Sequence, residues 1–287
     1  MPTAQKKAWI AAELGCGVTN IEICSFVPAK LIPQFVDAAE IVAFANTLAG
    51  LTATVLVPNF RGYQNAVAAG ARRITVPLSA SEAHSRSNVR KSRADAIADF
   101  ASMVEANRHL PAAARPTLIG AISTAFGCTI QGTVTEADVL FMVEGIVRAG
   151  ADELALADTV GYAAPAQIKR VFKLVRDTIG PAVPLGAHFH DTRGLGIANA
   201  IAALEVGITL FDATLGGLGG CPYAPGASGN VVMEDLAFAF EAMGVRTGID
   251  LERLIELRRS VFEQMDGLET YGHMGLAGLP KGFMARA

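Results

Sequence analysis

The sequence predicts an α/β fold, a TIM (β/α)8 barrel with the first strand missing from the N-terminus. Three observations predict it. Short β-rich apolar runs alternate with amphipathic helical stretches along all 287 residues, the pattern of a parallel sheet. Polar residues stand where nearly every run ends: Ser25, Asn59, Ser79, Ser123, Asp158, His190 and Asp212. Barrel enzymes draw their sites from the C-terminal ends of many strands, whereas an open sheet concentrates them at one switch point. Finally, a dinucleotide fold needs GxGxxG after its first strand, and SFVPAK stands there instead.

The elements follow in order. The chain opens on a helix, 3–15, which leaves the barrel one strand short. The first strand is 20–25 (NIEICS), followed by a helix over 32–48, a strand over 52–57 (TATVLV) and a helix over 62–70. A glycine at the helix end, in AAGARRITV, leads to the strand 73–78. The basic run 84–93 (HSRSNVRKSR) reads as a solvated helix start more readily than as a phosphate contact, and the helix continues over 91–107. Next come the strand 117–123 (TLIGAIS), the helix 135–149, a second helix-ending glycine in RAGADELAL, and the strand 153–157 (ELALA). The helix 164–178, the strand 183–189, the helix 195–205 and the strand 208–213 (ITLFDA) complete the alternation, and helices over 231–243 and 250–265 close it. Residues 1–287 read as a single domain, with a glycine-rich loop or tail over 266–287.

Hydrophobic residues make up 51% of the chain and charged residues 18%, with a formal net charge of -3. That composition excludes a disordered protein and argues against nucleic-acid binding, which needs a basic excess, so the partner is a small molecule. The uncharged runs 41–60, 117–135 and 213–233 approach membrane-spanning length, but Asn46, Pro58, Gly120, Gly127 and a glycine loop interrupt them, and no membrane span is expected. Glu13 within the short N-terminal apolar stretch argues against a secretory signal, and the expected location is cytoplasmic. Cys16, Cys24, Cys128 and Cys221 lie far apart without a CxxC pair, as expected of reduced thiols.

The sharpest local feature is GAHFHDTRG, 186–194. Residues two apart on a strand share a face, so His188 and His190 project together into the barrel mouth and suit a divalent metal, with packing or hydrogen bonding as the alternative. Asp191 caps the next helix or orients a ligand. The run GGLGGCPYAPGASGN, 216–230, is a mobile active-site loop or a flexible connector. Cys221 within it is placed to donate or accept a proton. Asn230 caps the following helix or offers an amide oxygen to a metal. Glu22 shares its strand with Asn20 and Cys24, and the period of two puts these three on one face; a carboxylate inside a barrel is costly unless paired or functional. Asp158 is a site carboxylate or a turn residue, and His109 and His273 are surface residues.

From about residue 3 to 265 the chain resembles the 3-hydroxy-3-methylglutaryl-CoA lyases, in the metal-dependent barrel family that also holds isopropylmalate synthases and oxo-acid aldolases. GGLGGCPYAPGASGN carries the resemblance to the lyases rather than the synthases, and IEICSFVPAK, VLVPNFRGY, ADTVGYAAP and HFHDTRG support it. The resemblance implies His188, His190 and Asn230 as metal ligands, Cys221 as the loop thiol that protonates the departing enolate, and His188 as a partner in proton transfer. It implies catalytic or substrate-positioning roles for Glu22 and Asp158. It further implies Mg or Mn as the cofactor, an acyl-CoA substrate cleaved to acetyl-CoA and a keto acid, and a homo-oligomer, dimer or tetramer. Family members begin with a strand ending in Arg-Asp-Gly that supplies a fourth ligand and an arginine, whereas Met1-Pro2-Thr3 stands where they enter their first helix. A start inside a longer reading frame accounts for this. A chain without that strand is expected to bind metal weakly and to have little lyase activity, which keeps a non-catalytic acyl-CoA-binding paralogue as an alternative beside an aldolase or Claisen-type synthase.

Overall fold

In the strands, the branched and aromatic side chains that alternate along the sequence point outward, where helices cover them. Ile74, Val76 and Leu78, Leu154 and Leu156, and Leu185, Ala187 and Phe189 are all buried in this layer. The computed structural model describes residues 1–219, 229–265 and 268–283. Its strands are β1 (Asn20–Ser25), β2 (Thr52–Leu56), β3 (Arg73–Ser79), β4 (Thr117–Ser123), β5 (Glu153–Asp158), β6 (Leu185–Phe189) and β7 (Leu210–Asp212). They form one seven-stranded sheet in sequence order, every pair parallel, and among the described residues β1 and β7 do not pair with each other. The sheet is a curled part-barrel, open between β1 and β7 among the described residues.

The helices are α1 (Thr3–Gly15), α2 (Ala38–Ala45), α3 (Phe60–Ala68), α4 (Glu82–Asn88), α5 (Arg93–Arg108), α6 (Glu136–Ala149), α7 (Pro165–Ile179), α8 (Gly196–Leu204), α9 (Met233–Ala242), α10 (Leu251–Phe262) and α11 (Met274–Ala277). Local chemistry sets their ends. Thr135 and Asp138 form a reciprocal capping box at the start of α6, and Gly150 ends that helix at φ 102°, a conformation that side chains rarely adopt. Asn59 accepts from the Gly62 N–H and starts α3.

Three helix and strand expectations need correction. The stretch 32–48 is helical only over Ala38–Ala45, after a 3-10 turn at Pro33–Phe35, because the chain leaves helical dihedrals at Asp37 (φ -98°, ψ 13°), whose carboxylate is held by Thr3 and Lys6 of α1. The stretch 84–93 is not a solvated helix start: α4 is a separate helix that buries His84 and Ser85, Arg90 turns the chain at φ 59°, and the Ser92 hydroxyl then caps α5. The last strand is three residues long rather than 208–213, since β6 offers it only three partners.

The concave face is polar. Arg73 and Glu153, on strands two apart, meet in a bidentate ion pair at 2.7 Å. Thr75, two residues along β3 from Arg73 and so on the same face, hydrogen bonds to Glu22. The outer layer holds the apolar mass, including the aromatic cluster of Phe126, Phe172 and Phe189, each worth about 1.5–3 kcal/mol of burial.

A second, smaller core joins both ends of the chain: Cys16, Leu215, Leu254 and Val261 pack with Trp9 and Phe262. Helix α1 packs against both α2 and α10. Glu13 is buried here, accepting from the Trp9 indole N–H at 2.8 Å. Loss of hydration raises its carboxyl from 4.5 to about 7, opposed by the Trp9 bond and assisted by the charge of Glu234. A folded-state value above the unfolded one means that the native protein holds the proton more tightly, so this contribution is greatest below the unfolded value and is lost as pH rises towards 7. Glu13→Gln keeps an acceptor for Trp9 and removes the ionisation. Its melting temperature should gain on the wild type between about pH 5 and about pH 8; a difference constant across that range would refute the assignment.

Residues 266–287, expected to be a loop or tail, are tied down where they are described. The Asp235 carboxylate accepts from the backbone of His273 and Met274, and the Tyr271 N–H donates to Gly216 O at 2.8 Å.

Candidate active site

The two imidazoles of the HxH pair converge as the strand period requires. Gly186 and His188 lie inward on β6 while Leu185, Ala187 and Phe189 lie outward, and His190 continues the inward row just past the strand end. The Nε2 atoms of His188 and His190 stand 3.3 Å apart. The backbone of 229–231 runs antiparallel beside them: Asp191 N–H donates to Gly229 O, Val231 N–H donates to Phe189 O, and Asn230 faces His190 in an isolated bridge.

Asn230 does not cap α9, whose N-cap is Val232. Its Nδ2 donates to Leu218 O at 2.7 Å, and its buried Oδ1, which makes no well-formed hydrogen bond, faces the His188 ring and favours the ring's charged form. A buried carbonyl oxygen with nothing to accept is costly. Two imidazole nitrogens and one orphaned amide oxygen therefore converge on one place, and this donor set fits a divalent cation that takes mixed nitrogen and oxygen ligands. Among the described residues, no group of three His, Cys, Asp or Glu forms such a centre.

Glu22 reaches the same place from β1. Its side chain is exposed to water on the open side of the sheet, with protein crowding the carboxyl from the other sides. Loss of hydration raises it from 4.5 to about 7, and Asp212 adds to the rise, while His188 and the Thr75 hydrogen bond oppose it. The expectation that Cys24 shares its face fails. A bulge between Glu22 and Cys24 shifts the register, and the Cys24 thiol donates outward to Ala38 O on α2. For His188, loss of hydration lowers the ring, but the hydrogen bond and charge of Asp212, with Glu22 and the Asn230 side chain, outweigh it and hold it above the ordinary imidazole value.

Asp158 is not brought to the imidazoles. The β5–β6 register pairs Ala157 with His188 and Asp158 with Phe189, so Asp158 lies on the outward face, fully buried. Its two oxygens accept from Tyr162 N–H at 2.9 Å and Ala163 N–H at 3.0 Å, fixing the turn into α7. Burial raises its carboxyl and these backbone bonds oppose the rise. Asp191 is not the N-cap of α8, which is Leu195, but its Oδ1 accepts from Gly196 N–H, the first residue of that helix, at 2.7 Å. His109 is exposed, as expected, and pairs with Glu105. Cys221 lies outside the described residues.

The sequence reading missed Asp212 as a neighbour of His188: its Oδ2 lies 3.1 Å from Nδ1. The signal was available, since the FDA run ends the strand that follows HFH.

A family model described as HMGL-like matches residues 1–261. The hydroxymethylglutaryl-CoA lyase of Bacillus subtilis is 38% identical over 263 residues, which cover 92% of this chain and 86% of that protein. The cytoplasmic 3-hydroxy-3-methylglutaryl-CoA lyase of Rattus norvegicus is 38% identical over 89% of this chain and 73% of its own length. Among solved structures, an HMG-CoA lyase of A. baumannii in complex with coenzyme A and 3-methylmalate superposes with a TM-score of 0.91 at 38% identity, covering 100% of this chain and 92% of that one.

Proposed function

The chain belongs to the HMGL-like family, and from that premise we propose that it is a carbon–carbon lyase which cleaves 3-hydroxy-3-methylglutaryl-CoA, or a related 3-hydroxyacyl-CoA, to acetyl-CoA and acetoacetate. The observation that carries this reading is the convergence of the His188 and His190 Nε2 atoms beside the orphaned Asn230 oxygen. Relatives named as lyases, one of them solved with coenzyme A, support it.

Breaking the bond between the second and third carbons of such a thioester needs the hydroxyl proton removed, the developing oxyanion stabilised and the departing enolate protonated. His188, His190 and Asn230 would hold a divalent cation, Mg or Mn, which when bound supplies Lewis-acid polarisation of the substrate's hydroxyl and carbonyl oxygens. Glu22 stands beside His188 on the inner face, where its carboxyl can hold or take up a proton. His188 shares in proton transfer, and Cys221 is assigned as the thiol that protonates the enolate carbon. Asp158 contributes by holding the β5–α7 turn, not by touching substrate. Residues 1–287 act as one domain. The assembly is a dimer or tetramer and its place is the cytoplasm; among the described residues no helix is long and apolar enough to cross a membrane.

The test is a product assay on the purified protein. With Mn or Mg, 3-hydroxy-3-methylglutaryl-CoA should yield acetoacetate and acetyl-CoA in equal amounts, and chelation with EDTA should stop turnover until metal is restored. Tight acyl-CoA binding without product would overturn the assignment in favour of a binding protein, and consumption of acetyl-CoA in favour of a synthase.

A further inference from the structure

The β6–β7 register sets Asp212 directly opposite His188, so the two side chains meet because the strands pair as they do. Asp212 Oδ2 lies 3.1 Å from His188 Nδ1, and His188 Nε2 lies 3.3 Å from His190 Nε2. We propose that Asp212 is a positioning residue for the metal centre: by accepting from Nδ1–H it fixes one tautomer of His188 and aims the Nε2 lone pair at the point that His190 Nε2 also faces.

A neutral imidazole carries its proton on one ring nitrogen and accepts at the other. A carboxylate oxygen only accepts, so the contact with Asp212 places the proton on Nδ1. Nε2 is then a bare acceptor, the form in which histidine binds a metal. In free histidine the Nε2–H tautomer is the commoner one, and that tautomer blocks the nitrogen that must coordinate. The carboxylate also fixes the ring's rotation, which a strand alone does not set, and outer-shell contacts of this kind contribute to metal affinity. Glu22 is also close enough to influence His188, but the hydrogen bond to Nδ1 is that of Asp212.

The consequence for metal binding rests on the cation reading above, whereas the tautomer does not. Two measurements keep them apart. Long-range proton–nitrogen correlation spectra of the metal-free, nitrogen-15-labelled protein report the tautomer of His188. Titration with Mn, followed by electron paramagnetic resonance of the free ion, reports affinity. The wild type should show His188 protonated at Nδ1. Asp212→Asn, which still offers an oxygen, should keep that tautomer and bind Mn within a few-fold of wild type. Asp212→Ala should shift His188 towards the Nε2–H form and weaken Mn binding by about 10–100-fold. A wild-type His188 protonated at Nε2, or an Asp212→Ala protein with unchanged tautomer and Mn affinity, overturns the proposal. If the tautomer follows this pattern but the wild type binds no Mn, the positioning role stands and the cation reading falls.

Discussion

Replacing His190 with alanine is expected to lower kcat/KM for 3-hydroxy-3-methylglutaryl-CoA cleavage by about 10³-fold, equivalent to ~4 kcal/mol of lost transition-state stabilisation. The substitution removes one of the two Nε2 atoms that face each other at 3.3 Å. The site then keeps one imidazole and one amide oxygen. The backbone contacts around His190, including its bridge to Asn230, do not depend on the side chain, so the fold should persist. Steady-state kinetics over a series of Mn concentrations checks this, with a circular dichroism melt as the control for folding. A variant that is folded, active and still stopped by EDTA would place the metal elsewhere.

Removing Arg258 should produce the largest loss of stability, about 3–5 kcal/mol for Arg258→Ala. Glu234 has no exposed surface, and its carboxylate accepts from Gly216 N–H and faces the Arg258 guanidinium at 3.2 Å. Burial pushes the Glu234 carboxyl up, and the backbone hydrogen bonds and Arg258 hold it down. Without the guanidinium, a buried carboxylate must either stay charged without its cation or take up a proton. Arg258 also donates to Tyr271 O, so its loss removes a tie between α10 and the segment that follows it. Urea unfolding measures the effect. The double variant Arg258→Met with Glu234→Gln should recover part of the loss, because it leaves no unpaired buried charge. A single variant that loses less than about 1 kcal/mol would show that water reaches Glu234 and the pair is not structural.

The strand sequence was legible because the outer layer of a parallel sheet is written in runs such as ITVPL and ELALA, whose buried side chains are the apolar ones. Boundaries were less so: Asp37, held by α1, delays the start of α2, and the left-handed Arg90 with the Ser92 cap separates α4 from α5, effects of single residues within stretches of helical pattern. For the site, the period of two was enough to bring His188 and His190 together. It was not enough at Glu22 and Cys24, where a bulge breaks the alternation, nor at Asp158, whose face depends on its pairing with Phe189. The approach of Asn230 to His190 comes from chain segments 40 residues apart in sequence meeting at the end of β6, and no local pattern encodes it.

The polar concave face has a consequence for which acyl groups the protein can accept. Barrel interiors are usually filled by layers of branched aliphatic side chains. Here the inward positions include the Arg73–Glu153 pair, Thr75, Glu22, His188 and Asp212. A long saturated tail placed there would find charged and hydroxyl groups instead of apolar partners, and would forgo about 0.8 kcal/mol for every methylene left unburied. A short acyl group bearing its own hydroxyl and carboxylate meets no such deficit. At these inward positions a long saturated tail is therefore disfavoured relative to a short, hydroxylated acid.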